Sequence, residues 1–280
     1  MSGTPIRHPV INASLWMLGA LAPAEVGTFE ILFFRSLVGL AIIGALLSRS
    51  GWRQISLRRF PLHLARNLGH FGGQFGWFYG IALIPLAEVF AIEFTTPIWT
   101  AALAVALLGE RVTRSRVAAI ALGIAGMLII LRPGGAAVGS GSLAVLAAAA
   151  CYALAHVLTR KLAQTETTLA ILFYMTVIQL PLAALPLLAH WVAPSPALWP
   201  WVAVVGATGM SAHYCLTRAL KLADATVVVP MDFLRLPLVA VAGLVFYGEK
   251  LDWLVLTGAA VMLIGNLANI LGERARPRAG

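Results

Sequence analysis

Residues 104–133, AVALLGERVTRSRVAAIALGIAGMLIILRP, hold an apolar run ending at Leu108, a Gly109-Glu110-Arg111 turn, two more arginines and a second apolar run ending at Leu131. Residues 244–272, LVFYGEKLDWLVLTGAAVMLIGNLANILG, repeat that plan around Gly248-Glu249-Lys250. Gly126 follows seventeen residues after Gly109, and Gly265 stands at the same distance from Gly248. Ala121 and Leu128 recur as Ala260 and Leu267. Upstream, each copy has a proline-bearing apolar run, with Pro97 in one and Pro237 in the other. Further upstream, Ala82-Leu83 and Leu86-Ala87-Glu88 are echoed, one residue closer together, by Ala219-Leu220 and Leu222-Ala223-Asp224. Matched glycines and acids, and not only leucines, mark a duplicated unit.

The rest of the chain is as apolar as these two stretches. Hydrophobic residues make up 60% and charged residues 11%, with a mean hydropathy of +0.88, whereas soluble domains carry about 25% charge. A helix needs about 20 apolar residues to cross about 30 Å of hydrocarbon. Segments 26–47, 62–83, 87–108, 117–131, 142–158, 169–191, 198–216, 225–247 and 253–271 meet or approach that length. A thinner one, 9–24, precedes them, about 24 Å long at a helical rise. The expected fold class is all-α: a polytopic membrane protein with ten transmembrane helices in two inverted five-helix repeats. Its parts are a first repeat over 1–133, an external glycine-rich linker over 134–141, a second repeat over 142–272 and a cytoplasmic tail over 273–280. A nine-helix chain that begins outside is the alternative.

Basic residues sit on alternate connections. With the N-terminus inside, the inward connections hold Arg49, Arg53, Arg58, Arg59 and Arg66, then Arg111, Arg114 and Arg116. Arg160 with Lys161, Arg218 with Lys221, and the tail arginines follow, while the outward connections hold only Arg132 and Lys250. Arginine and lysine accumulate on the cytoplasmic side, so both termini are expected in the cytoplasm and the chain in the cytoplasmic membrane. Five helices per half make the second repeat enter from the opposite side, which accounts for Lys250.

The net charge of +9 is thus a topology signal and calls for no nucleic-acid partner, although lipid head groups should meet the basic loops. Cys151 and Cys215 fall inside predicted spans and suggest neither disulfide nor metal site. No cofactor is expected: Gly134–Gly141 lacks the Gly-Lys-Ser/Thr ending of a phosphate loop. No cleavable leader is evident. The small-residue faces could serve internal packing or a homodimer.

Inverted repeats are a sequence mark of secondary transporters, whose pseudo-symmetric halves expose one central site to each side in turn. Leu108-Gly109-Glu110-Arg111, Leu131-Arg132-Pro133 and Tyr247-Gly248-Glu249-Lys250 resemble the drug/metabolite transporter superfamily, EamA type, over nearly the whole chain. Phe33-Phe34-Arg35-Ser36 and Asp232-Phe233-Leu234-Arg235-Leu236-Pro237 are similar to members linked to amino-acid or S-adenosylmethionine transport. The resemblance implies a central cavity lined by helices near the front of each repeat, with the fifth and tenth helices set apart. The expected function is export or exchange of small polar metabolites, amino acids or related compounds, with no enzymatic activity. An intramembrane lipid-modifying enzyme would want a compact catalytic cluster, and the six histidines are scattered in sequence. A non-transporting assembly partner would have a sealed core.

Polar groups at membrane depth face a wet path or a partner. Asn67, His70, Gln74 and Trp77 follow spacings of three and four and share one helical face, suited to lining a cavity or to knitting helices together. Alignment through Ala219-Leu220 puts Ser211 opposite Gln74 and Tyr214 opposite Trp77, with His213 on a different face. Tyr152 and His156, four apart, could complete the lining. Asp232 and Arg235 are spaced to pair across one turn between Pro230 and Pro237, either as a structural pair or as part of a substrate or ion site. Arg35 could meet Glu30, Glu93 or a substrate carboxylate, with Glu93 the preferred partner. Glu93 and, after it, His70 are the candidates for proton coupling. Gly72-Gly73 is a candidate hinge.

Overall fold

The computed structural model describes residues 28–84, 86–131, 139–188, 196, 199–234 and 253–274. The expected first span, Arg235, Pro237 and the Gly248-Glu249-Lys250 turn lie outside them. Every regular element among the described residues is helical. These are α1 (Thr28–Ser50), α2 (Phe60–Leu83), α3 (Leu86–Glu93), α4 (Thr96–Leu108), α5 (Arg114–Leu131), α6 (Ser140–Ala163), α7 (Thr168–Leu187), α8 (Trp199–Leu222), α9 (Ala225–Val228) and α10 (Trp253–Arg274). A 3₁₀ segment, Val229–Leu234, continues α9.

Among the described residues, three segments combine the length and apolarity needed to cross a bilayer: Phe29–Ser50, Ser140–Ala163 and Thr168–Leu187. Helix α2 has 24 residues, but its polar side chains dilute its hydropathy. Those side chains are turned inward: His63, Arg66, Asn67, His70 and Gln74 are all buried. Leu185, Leu188, Ile264 and Leu267 are exposed instead. Polar groups inside and leucines outside is the arrangement expected of a protein solvated by lipid.

Two prolines coincide with helix breaks, while Pro181 and Pro186 lie inside the continuous α7. Pro97 has no N–H for the Glu93 carbonyl, and the helix stops at Glu93 and restarts at Thr96. Two hydroxyls fill the gap: Thr96 Oγ1 donates to the Glu93 carbonyl at 2.5 Å and Thr95 Oγ1 to that of Ile92 at 2.7 Å. In the second half, the chain tightens from α into 3₁₀ geometry at Val229, next to Pro230, which likewise cannot donate.

The helices approach closely along small-residue seams. A Cβ on Gly76 would lie 2.7 Å from the Ala144 carbonyl oxygen, and one on Gly73 2.8 Å from the Tyr152 ring. Only glycine lets α2 come this near α6. Gly73 is therefore a packing contact within an unbroken helix, whereas a Cβ on Gly72 would meet only Cys151 Sγ, at 3.7 Å. Helix α1 packs on α7, and α5 packs on α10.

Gly109 ends α4 in the left-handed conformation, φ 67°. Its N–H bonds the Val105 carbonyl, and the Glu110 N–H reaches back to that of Ala104, at 3.2 Å in both cases. The Gly109 bond is the αL closure of a helix end, for which glycine is the preferred residue. It throws the Glu110 side chain away from its own helix.

Candidate functional site

A cavity of about 620 Å³ lies between the two helix breaks. Helix α2 contributes His70, Gln74 and Trp77, the expected stripe, and α6 contributes Tyr152 and His156 one turn apart. The first break supplies Glu93 and Thr96, the second Asp232, and α1 supplies Arg35. Residues far apart in sequence thus form one polar chamber inside an apolar bundle.

The polar contacts define two walls. Trp77 Nε1 donates to Glu93 Oε2 at 2.7 Å. On the other wall, Arg35 Nη2 donates to His213 Nε2 at 2.7 Å, and His213 packs edge-on to His70 with ring centroids 4.9 Å apart. Gln179 Nε2 donates to His70 Nδ1 at 3.0 Å. Arginine and amide nitrogens only donate, so both imidazole nitrogens must accept, and these hydrogen bonds require unprotonated nitrogens there. Gln74 Oε1 is buried with no hydrogen-bond donor among the described residues.

Several expected site residues stand elsewhere. Asn67 lies one turn before His70 and is consumed by structure: its Nδ2 donates to the carbonyls of His63 and Tyr174, and its Oδ1 accepts from Arg66 and Gln179. The preceding Arg66 is itself buried, its Nε donating to Thr159 Oγ1 at 3.0 Å. Ser211 and Tyr214 are exposed and do not line the cavity. Ser211 Oγ donates to the Ala207 carbonyl of its own helix. The face of α8 that meets the cavity runs through His213, Leu216 and Ala219, set by the close approach of Gly209 to Arg35. Arg35 binds His213 and not Glu93, although both carboxylate and guanidinium line the same space. Arg235 lies outside the described residues, so its pairing with Asp232 does too.

Three of the six histidines, scattered along the chain, converge here. Among the described residues, no group of three His, Cys, Asp or Glu side chains could hold a metal ion. The missed residues are His213, Thr96 and Gln179. A hydroxyl next to a mid-span proline was the usable signal for Thr96; nothing local pointed to Gln179.

A polar chamber at paired helix breaks within an apolar bundle defines a membrane carrier. The profile of the EamA-like transporter family matches residues 8–132 and again 139–271. The chain belongs to that family. It is 24% identical over 276 residues to an S-adenosylmethionine uptake transporter of Rickettsia prowazekii, covering 94% of each chain. It is 30% identical to a riboflavin transporter of Rhizobium johnstonii, covering 98% of this chain and 85% of that one. A pseudopaline exporter of Pseudomonas aeruginosa is 28% identical, covering 92% of this chain and 90% of the relative. A crystal structure with 22% identity shares the fold at a TM-score of 0.78 over 96% of both chains. The chain is a membrane protein of a transporter family whose relatives handle small metabolites.

Proposed function

We infer that this chain is a secondary transporter that carries a small polar organic metabolite across the cytoplasmic membrane, with both termini inside. The observation that carries the reading is the 620 Å³ chamber with an arginine–histidine wall and a tryptophan–carboxylate wall. The finer reading is a solute related to amino acids. A carboxylate suits Arg35, an amine or other cation suits Glu93 and Asp232, and an aromatic group suits Trp77, Phe78 and Tyr152. S-adenosylmethionine, named for the Rickettsia relative, carries all three kinds of group. One relative is named for uptake and another for export, and in this reading direction rests on gradients and coupling.

Transport proceeds by alternating access of two inverted repeats. Support comes from the doubled profile match, from helix breaks in both halves, and from α1 on α7 and α5 on α10, pairs that a two-fold axis would relate to themselves. Glu93, which lines the chamber, is the proposed proton-coupling carboxylate.

Full-length protein in liposomes should show saturable counterflow of S-adenosylmethionine or an amino acid against a panel that includes riboflavin. Failure of the whole panel to move, with folded protein in the bilayer, would overturn the reading. Glu93→Gln should flatten the pH response of flux; an undiminished response would remove Glu93 as the coupling group.

A further inference from the structure

At one end of the chamber the two sequence halves are tied together by side chains that do not line it. Glu110, thrown outward by the Gly109 turn, accepts from the backbone N–H groups of Ala225 and Thr226 at 3.0 and 3.1 Å and from Thr226 Oγ1 at 2.8 Å. It thereby caps α9 of the other half. Arg116 Nη2 pairs with Asp224 at 2.8 Å, and its Nη1 donates to Thr226 Oγ1. Arg160 Nη2 holds the second oxygen of Asp224 at 3.0 Å. Through Nη1, Arg160 also donates to the Leu220 carbonyl at the end of α8.

Under this polar layer lies an apolar one. Ala104, Val157, Leu220 and Ala225 are fully buried, with Leu103, Leu108, Leu216 and Val228 packed against them. Leu216 and Val228 also line the chamber. From the loop inward, the order is ionic latch, leucine–valine plug, chamber. No solute can pass here without parting Glu110 and Arg116 from the residues 224–226.

We propose that the Gly109-Glu110-Arg111 turn is the latch of the cytoplasmic gate, clasping the start of α9. The proposal rests on the alternating-access reading. It gives Glu110 a task that substrate binding leaves unexplained.

Strengths differ within the latch. Glu110 and Arg116 side chains are 7% and 2% exposed, and that of Asp224 is 37% exposed. Solvent screens the Asp224 pairs more, so Glu110 dominates.

The chain's own thiols allow a test. Cys215 lines the chamber, and Cys151 is the only other cysteine. In full-length Cys151→Ala protein, a membrane-impermeant maleimide is applied to right-side-out and to inside-out vesicles. Glu110→Gln should raise the rate of Cys215 labelling from the cytoplasmic side by about tenfold or more, the loss of charge-assisted hydrogen bonds, and lower it from outside. Asp224→Asn should do the same more weakly. Thermal melting in detergent checks that each variant is folded. Unchanged labelling in folded Glu110→Gln and Asp224→Asn, in protein where a solute gradient still switches the reactive side, overturns the latch and leaves alternating access standing. Cys215 reachable from one side only in every variant and gradient overturns both.

Discussion

Arg35 sits in α1 with a neutral imidazole as its hydrogen-bond partner at 2.7 Å. Among the described residues no carboxylate lies within ion-pair distance of it. A buried guanidinium without a counter-charge is costly, and a bound solute carboxylate would supply the missing charge. Arg35→Gln should therefore weaken binding of a carboxylate-bearing solute by about tenfold or more, a charged hydrogen bond being worth about 1.5–3 kcal/mol. Its methyl ester should be affected little. Competition binding with the two forms measures this, and equal losses for both would assign Arg35 to structure. The α2 stripe was legible because a period of three and four survives any tertiary arrangement. Which members of it meet the chamber was not: Asn67 shares the spacing of His70 and Gln74, yet the neighbouring helix α7 claims it through Gln179 and the Tyr174 carbonyl.

At the level of elements, packing distance and helix breaks carry the function. Gly76→Ala pushes a methyl group against a backbone carbonyl 2.7 Å away, which cannot step aside as a flexible side chain would. It should cost about 1–3 kcal/mol and lower the melting midpoint. Gly44→Ala, which meets nothing within 4 Å, should be neutral or slightly stabilising. Equal melting of the two would remove the α2–α6 seam as a stability determinant. Pro97→Ala restores an N–H to the chain and lets α3 run on into α4. Transport should fall by more than the amount of folded protein, since Glu93 and Thr96 owe their positions to the break. Flux normalised to inserted protein reads this directly. Pro97 and Pro230 announced their breaks in the sequence because a missing donor acts locally. The face that α8 turns to the chamber is instead set by Gly209 against Arg35, a contact across 174 positions, which no local spacing encodes. That is why Ser211 and Tyr214 were expected in the lining where His213 stands.

For the molecule as a whole, the testable quantity is the sense in which each half threads the bilayer. A tag after Gly134 and another after Leu251 should both be reachable only from outside, and a C-terminal tag only from inside. Protease protection in oriented vesicles reads all three. Either internal tag appearing on the inner side would overturn the inverted arrangement and the alternating-access reading with it.

Composition, hydropathy and the duplicated Gly-Glu turns determined by themselves that this chain is a helical membrane protein built from a repeated unit. Those properties follow from solvation of each segment and from local backbone chemistry, and both act within a few residues. Tertiary structure alone decided that Arg35 meets His213, that Trp77 holds Glu93, and that Glu110 of one half caps a helix of the other. Each of these depends on how one helix is rotated against another. Such rotation is set by close packing of surfaces distant in sequence, where small changes of crossing geometry exchange one facing residue for its neighbour.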